Sequence, residues 1–184
     1  MERLGFTPEL KSVDDETGTA QFYASIFGNV DLGNDVVLPG AFAKTLADTP
    51  ASRIGFLVDH EWDAQHRLGF VNSISEDTHG LLVDVRFNLE KQLSREIYSD
   101  FKMSPESIEF SFGYEPIDYE YDAKGIRLLK EVRLFEVSHV VKGMNPATEL
   151  VGVKEAPEAP DYSATESAIR IADARLKLLQ ARQG

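Results

Sequence analysis

Ile108, Phe110, Phe112 and Tyr114 alternate with Glu109, Ser111 and Gly113, a period of two that predicts a strand with one apolar face. The run from Gln21 to Phe27 is β-prone and stops at the turn pair Gly28-Asn29, and the apolar run Ile54–Val58 reads as a strand leading to His60. Segments 68–74 and 81–87 flank a polar turn at 77–80 and predict an antiparallel pair. After Tyr114 a further hairpin is expected, with 117–121 and 126–129 around Asp122-Ala123-Lys124-Gly125, followed by a strand from Glu131 to Val141. The period changes at Leu93, Ile97 and Phe101, which recur at i, i+4 and i+8 and predict an amphipathic helix over 91–102, with Pro105 separating it from the Ser111 strand. A shorter helix is expected over 40–47 from the Phe42/Leu46 pair, stopped by Asp48-Thr49-Pro50, while 30–39 and 143–148 read as loops.

The same patterning sets the expected boundaries. Residues 1–19 form a polar arm, 20–153 one β-rich domain with covering helices, and 154–162 an acidic, proline-containing linker. Residues 163–184 carry Ile169, Ala172, Leu176 and Leu179 on one stripe of a C-terminal amphipathic helix.

Composition narrows the chemistry. A chain of 184 residues can bury a core without disulfides, and the absence of cysteine excludes disulfide scaffolds, thiolate zinc sites and cysteine nucleophiles. The net charge of −12 argues against a nucleic-acid surface, which needs clustered Lys and Arg. No signal-type apolar region opens the chain and no run approaches the roughly 18 apolar residues of a membrane span, so a soluble protein retained inside the producing cell, with no membrane partner, is expected.

Two residue types then invite a catalytic reading. Ser111 is a small hydroxyl flanked on its own strand face by Gly113, which leaves room above it for a substrate backbone; the plainer reading is a solvent-facing serine. A serine needs a base, and the chain has four histidines. His66 and His79 sit in polar stretches and read as surface residues, and His139 lies inside a late strand. His60, at the end of an apolar run where buried chain meets solvent, is the better base. Two metal readings fail on spacing: His60 and His66 are six apart rather than four, and the acids between Asp31 and Asp35 lack the distal glutamate of a calcium loop, so turn chemistry and a packed Trp62 with solvated acids are expected instead. Neither a metal nor a cofactor is expected. The glycine-containing loop at 143–148 is a candidate source of oxyanion donors.

The run Tyr23–Asp31 continued by Asn34–Phe42, then Phe56-Leu57-Val58-Asp59-His60, then Phe110-Ser111-Phe112-Gly113-Tyr114, then Leu134-Phe135-Glu136-Val137-Ser138 with Asn145-Pro146-Ala147 after it, resembles the prohead maturation serine proteases of tailed phages. The resemblance covers about residues 20–153, and its specificity lies in four blocks in order. It implies an α/β (α+β) fold: a small, mostly antiparallel β-barrel flanked by helices, similar to the herpesvirus assemblin proteases. It also implies His60 as base, Ser111 as nucleophile, and a third member that is Glu136 by the family pattern or His139 by the assemblin one. Glu136 and His139 fall on opposite faces of an extended strand, so the two compete.

The activity implied is a serine endopeptidase of capsid assembly and maturation, acting on capsid and scaffold proteins inside the assembling prohead, in the cytoplasm of the infected host cell, with a homo-oligomer as an open possibility. The alternatives are a non-catalytic assembly module on the same fold that binds capsid or scaffold, and a small-molecule esterase or amidase. The latter lacks the Gly-x-Ser-x-Gly context, because Ser111 lies between phenylalanines.

Overall fold

The computed structural model describes residues 18–145 and 147–155. Most of the arm, and nearly all of the linker and C-terminal helix expected above, lie outside the described residues. Eight strands form one mixed sheet: β1 (Gly18–Ile26), β2 (Asp35–Val37), β3 (Gly55–Val58), β4 (Arg67–Glu76), β5 (Gly80–Phe87), β6 (Glu109–Tyr121), β7 (Arg127–Val140) and β8 (Glu149–Glu155). Among the described residues two α-helices accompany it, α1 (Ala43–Asp48) and α2 (Gln92–Met103). This is an α+β fold with the expected strand-rich centre. From one margin the pairing runs β6, β7, β3, β4, β5, β1, β8, with β2 also joined to β7. All pairs are antiparallel except β2 and β3 against β7.

The sheet curls so that strands far apart along it meet inside. Phe22 on β1 stacks on Phe110 of β6 with ring centroids 3.8 Å apart, although four strands separate them in the ladder. Phe56, Phe87 and Phe101 join the same buried cluster through edge-to-face contacts, the geometry that favours the ring quadrupoles. Helix α2 supplies Ile97, Tyr98 and Phe101 to this core, as its apolar stripe predicts. Closure is not by a β6–β8 ladder. Instead the Thr148 hydroxyl, just before β8, lies 3.2 Å from Phe110 N and 3.3 Å from Phe110 O, capping the open edge of β6 at that point. The barrel is therefore a half-barrel with a side-chain seam.

Four strands differ from the sequence reading. Asp35–Val37, expected as loop, is the strand β2; three residues are too few to show a period, and the segment is extended because it pairs in parallel with Arg127–Leu129. β8, for which the sequence reading had no element, runs from Glu149 past the expected domain end at 153 into the first residues of the expected linker, held by its ladder to β1. β6 and β7 are each one long strand, so the expected separate hairpin is the far end of the Ser111 strand itself. Pro116 is tolerated there because β6 is a margin strand and the register shifts beside it.

Candidate active site

β3 ends at Val58, and the chain turns sharply at Asp59 and His60, both left-handed at φ 51° and 61°. Glu61 N–H donates to Val58 O at 3.1 Å, closing the turn. Non-glycine residues rarely hold this backbone region, and two in succession mark a place where the surrounding structure imposes the conformation. The imposing partner is β7: Asp59 N–H donates to His139 O at 2.9 Å, continuing the β3–β7 ladder, and His60 N–H donates to Ser138 Oγ at 3.3 Å. The turn thereby lays the His60 ring over β7 with its side chain about two-fifths exposed.

Beneath it, Glu136 has no exposed surface. Its Oε1 meets His60 Nδ1 at 2.6 Å, and its Oε2 accepts from Ser138 Oγ at 2.5 Å. The bonds close a circuit through one residue: the His60 backbone N–H donates to the Ser138 hydroxyl, that hydroxyl donates to Glu136, and the His60 ring Nδ1–H donates to the same carboxylate. The carboxylate raises the His60 pKa above its usual value, chiefly through this hydrogen bond, while partial burial of the ring opposes it. An Nδ1–H held by Glu136 leaves Nε2 with its lone pair outward.

Room for Glu136 comes from two glycines on the neighbouring strands. Gly55 pairs with Glu136 from β3 and Gly113 from β6. A Cβ at Gly55 would stand 3.0 Å from Glu136 Cβ, and one at Gly113 would stand 2.4 Å from Glu136 Oε1. The space at Gly113 is thus used by the carboxylate, not left open above Ser111 as the sequence reading had it.

Ser111 sits directly across from Ser138, on the same sheet face as Glu136. It is 8% exposed, in contrast to a solvated strand face. A cavity of about 270 Å³ opens against it, bordered by Phe112, Tyr114, Asp31 and Asn145.

His139 is turned the other way. It pairs with Phe110, its ring lies edge-on to Phe101 at 5.2 Å, and its Nδ1 is 3.3 Å from Glu109 O; burial lowers its pKa. Of the two competing residues, the one in contact with His60 is Glu136. His66 is bonded to Asp63 at 2.8 Å and His79 lies edge-on to Tyr23, both at the surface. Trp62 does not pack, being 67% exposed, because the 61–66 segment bridges β3 to β4 across the outside of the sheet. In the candidate oxyanion loop, Gly143 N–H is taken by Glu109 Oε2 at 2.6 Å. Ser138 escaped the sequence reading as a site residue, although period two already put it on the face of Glu136.

The class these features define is a curled β-sheet protein with a serine on β6, a glutamate on the adjoining β7 and, bonded to that glutamate, a histidine on the turn after β3. The chain belongs to the caudovirus prohead serine protease family, whose family model matches residues 7–160. The prohead protease of Enterobacteria phage HK97 is 36% identical over 70 residues, which are 38% of this chain and 30% of that protein, so the shared stretch spans less than a third of that relative. The varicella-zoster virus protease aligns with a TM-score of 0.45 at 17% identity, over 72% of this chain and 62% of its own. That likeness is too loose to carry the fold assignment, which stands on the sheet topology.

Proposed function

We propose that this protein is a serine endopeptidase of prohead maturation, with Ser111 as nucleophile, His60 as general base and Glu136 as the group orienting His60. The observation that carries the reading is the 2.6 Å contact between His60 Nδ1 and buried Glu136 Oε1, with Ser111 on the same face one strand away. His60 Nε2 takes the Ser111 hydroxyl proton as Oγ bonds to the scissile carbonyl carbon. The imidazolium then gives that proton to the leaving amine as the C–N bond breaks, leaving an acyl-enzyme. Water attacks the ester while His60 removes its proton and returns it to Ser111 Oγ, releasing the new carboxyl end. Glu136 fixes the tautomer and stabilises the transient positive charge, and Ser138 holds Glu136 and the His60 turn in place. Ser111 Oγ makes no hydrogen bond among the described residues, in keeping with sites that tighten only around substrate.

Capsid and scaffold proteins are the substrates this reading assigns, cleaved within the assembling prohead in the infected host. Among the described residues no helix is long and apolar enough to cross a membrane. The test pairs a fluorophosphonate label with cleavage of co-expressed capsid and scaffold protein. Labelling of Ser111 and cleavage by wild type, both abolished in Ser111→Ala, are expected. Partner binding that survives in a protein never labelled and never cleaving would establish a non-catalytic assembly module instead.

A further inference from the structure

The strand register carries the Ser111 face outward across the sheet. Ser111 on β6 faces Ser138 on β7, Ser138 pairs with Leu57 on β3, and Leu57 pairs with Arg67 on β4. The neighbouring row runs Gly113, Glu136, Gly55, Phe70. Both rows end at a cleft of about 570 Å³ whose walls include Arg53, Trp62, Arg67, Phe70 and Lys91. Trp62 is 67% and Phe70 45% exposed, and the Arg67 guanidinium lies 5.4 Å over the Phe70 ring.

The charge here opposes that of the molecule. Three cations line the cleft against one carboxylate, Asp63, in a chain of net charge −12. Asp63 is occupied by His66 and by the N–H groups of Gln65 and His66. Lys91 Nζ is held by the Ala64 and Arg67 carbonyls, which anchors the 61–66 segment while leaving its charge at the wall. Arg53 and Arg67 are exposed and form no ion pair among the described residues. Two guanidiniums without an ion pair among the described residues, lining a cleft with two exposed aromatic rings, make a site for a carboxylate-bearing chain, with cation–π support from Phe70.

We infer that this cleft is a substrate subsite, taking an acidic segment of the polypeptide being cut. The inference rests on the protease reading above and names a feature of its substrates. Three ladder steps of about 4.8 Å separate β6 from β4, roughly 14 Å, which an extended peptide rising about 3.3 Å per residue covers in about four residues. The acidic residues therefore lie about four positions from the scissile bond. Charge complementarity argues for an acidic substrate segment as occupant, and because Ser138, Glu136 and Leu57 between Ser111 and the cleft are buried, the peptide reaches it by crossing over the His60 turn.

Trp62 is the only tryptophan in the sequence, so its emission reports occupancy directly. Fluorescein-free decapeptides differing only in a block of three Glu, three Gln or three Lys are titrated into full-length Ser111→Ala protein at low salt, following Trp62 emission. The Glu peptide is expected to shift the emission and to bind about tenfold or more tighter than the Gln peptide, with the Lys peptide weakest and the gap closing at high salt. Arg53→Ala and Arg67→Ala are each expected to weaken Glu-peptide binding roughly three- to fivefold. Equal binding of the three peptides, or an unmoved emission, overturns the inference. So does an emission already shifted to the blue in the free protein, which would mean the chain's own acidic segment fills the cleft, and so does a single-stranded oligonucleotide that moves Trp62 when the Glu peptide does not. Because the measurement needs no turnover, it stands apart from the labelling of Ser111: a labelled serine with an indifferent cleft refutes the subsite alone, while a responsive cleft beside an unreactive serine refutes the protease.

Discussion

Glu136 is a carboxyl group without exposed surface, and among the described residues its two oxygens have one side-chain partner each, His60 on Oε1 and Ser138 on Oε2. A buried carboxylate is tolerated when its lone pairs are bonded, and removing one donor costs more than an average hydrogen bond because the other groups stay buried. The charged groups facing His60 are Glu136 from β7 and Asp59 from its own turn, and both favour the imidazolium. On the proposed mechanism, with neutral His60 as the base, activity is expected to rise with pH through a value above the ordinary 6.5. Glu136→Gln removes the larger of the two influences, so the acid limb of the labelling-rate profile is expected to move to lower pH while the plateau falls by about a hundredfold or more. Ser138→Ala removes a donor that shares the Glu136 charge, so the limb is expected to move the opposite way, to higher pH, by a smaller amount, and not at all on the Glu136→Gln background; a limb that stays in place in folded Ser138→Ala would show a packing role only. The linkage to folding has a fixed sign. A histidine pKa raised in the folded state contributes stability that is full below about pH 6.5 and is lost as pH rises through the raised value.

At the scale of elements, β7 organises the protein. It takes β6 on one edge and β2 and β3 in succession on the other, so the segment that carries Glu136 and Ser138 is fixed from both sides. The β2 contact has three ladder pairs and needs more than its backbone. Asp35 supplies it, receiving both Nε and Nη2 of Arg127 on β7 and the Tyr114 hydroxyl from β6. Burial and the Asp35 carboxylate push the Tyr114 pKa up to about 12, so the phenol stays a donor. With Asp35 nearly buried and Arg127 about a third exposed, Asp35→Ala is expected to cost about 2 kcal/mol, less than for a fully buried pair, measured by urea unfolding. Because Asp35, Tyr114 and Arg127 border the cavity against Ser111, labelling of Ser111 is expected to slow in the folded fraction as well.

For the molecule as a whole, curling the sheet is what brings β6 back over β1, and the Phe22–Phe110 stack is the contact across the closure. Phe22→Ala leaves a void at a fully buried position and is expected to destabilise by about 3–5 kcal/mol in urea unfolding, with Ser111 labelling slowed in the remaining folded protein as β6 loosens. Most elements were legible in advance: the two-residue period of 108–114, the hairpin at 68–87 and the stripe of α2 each reflect burial of one face, which leaves a periodic record in the chain. His60 and Ser111 stood out as candidates in the sequence, one as a polar residue ending an apolar run and the other as a small hydroxyl on a strand. β2 and β8 left no such record, because their extended form comes from the partner strand and not from their own side chains. Nor did the choice between Glu136 and His139, which alternation limits to two faces without saying which face meets His60. That was decided by the β3–β7 register and by a left-handed turn at Asp59-His60, which swings the imidazole onto the Glu136 face, with Gly55 and Gly113 clearing the space. Periodicity is a property of neighbours along one strand, so the sequence by itself fixed which residues share a face; only ladders between strands distant in the chain settled which faces meet.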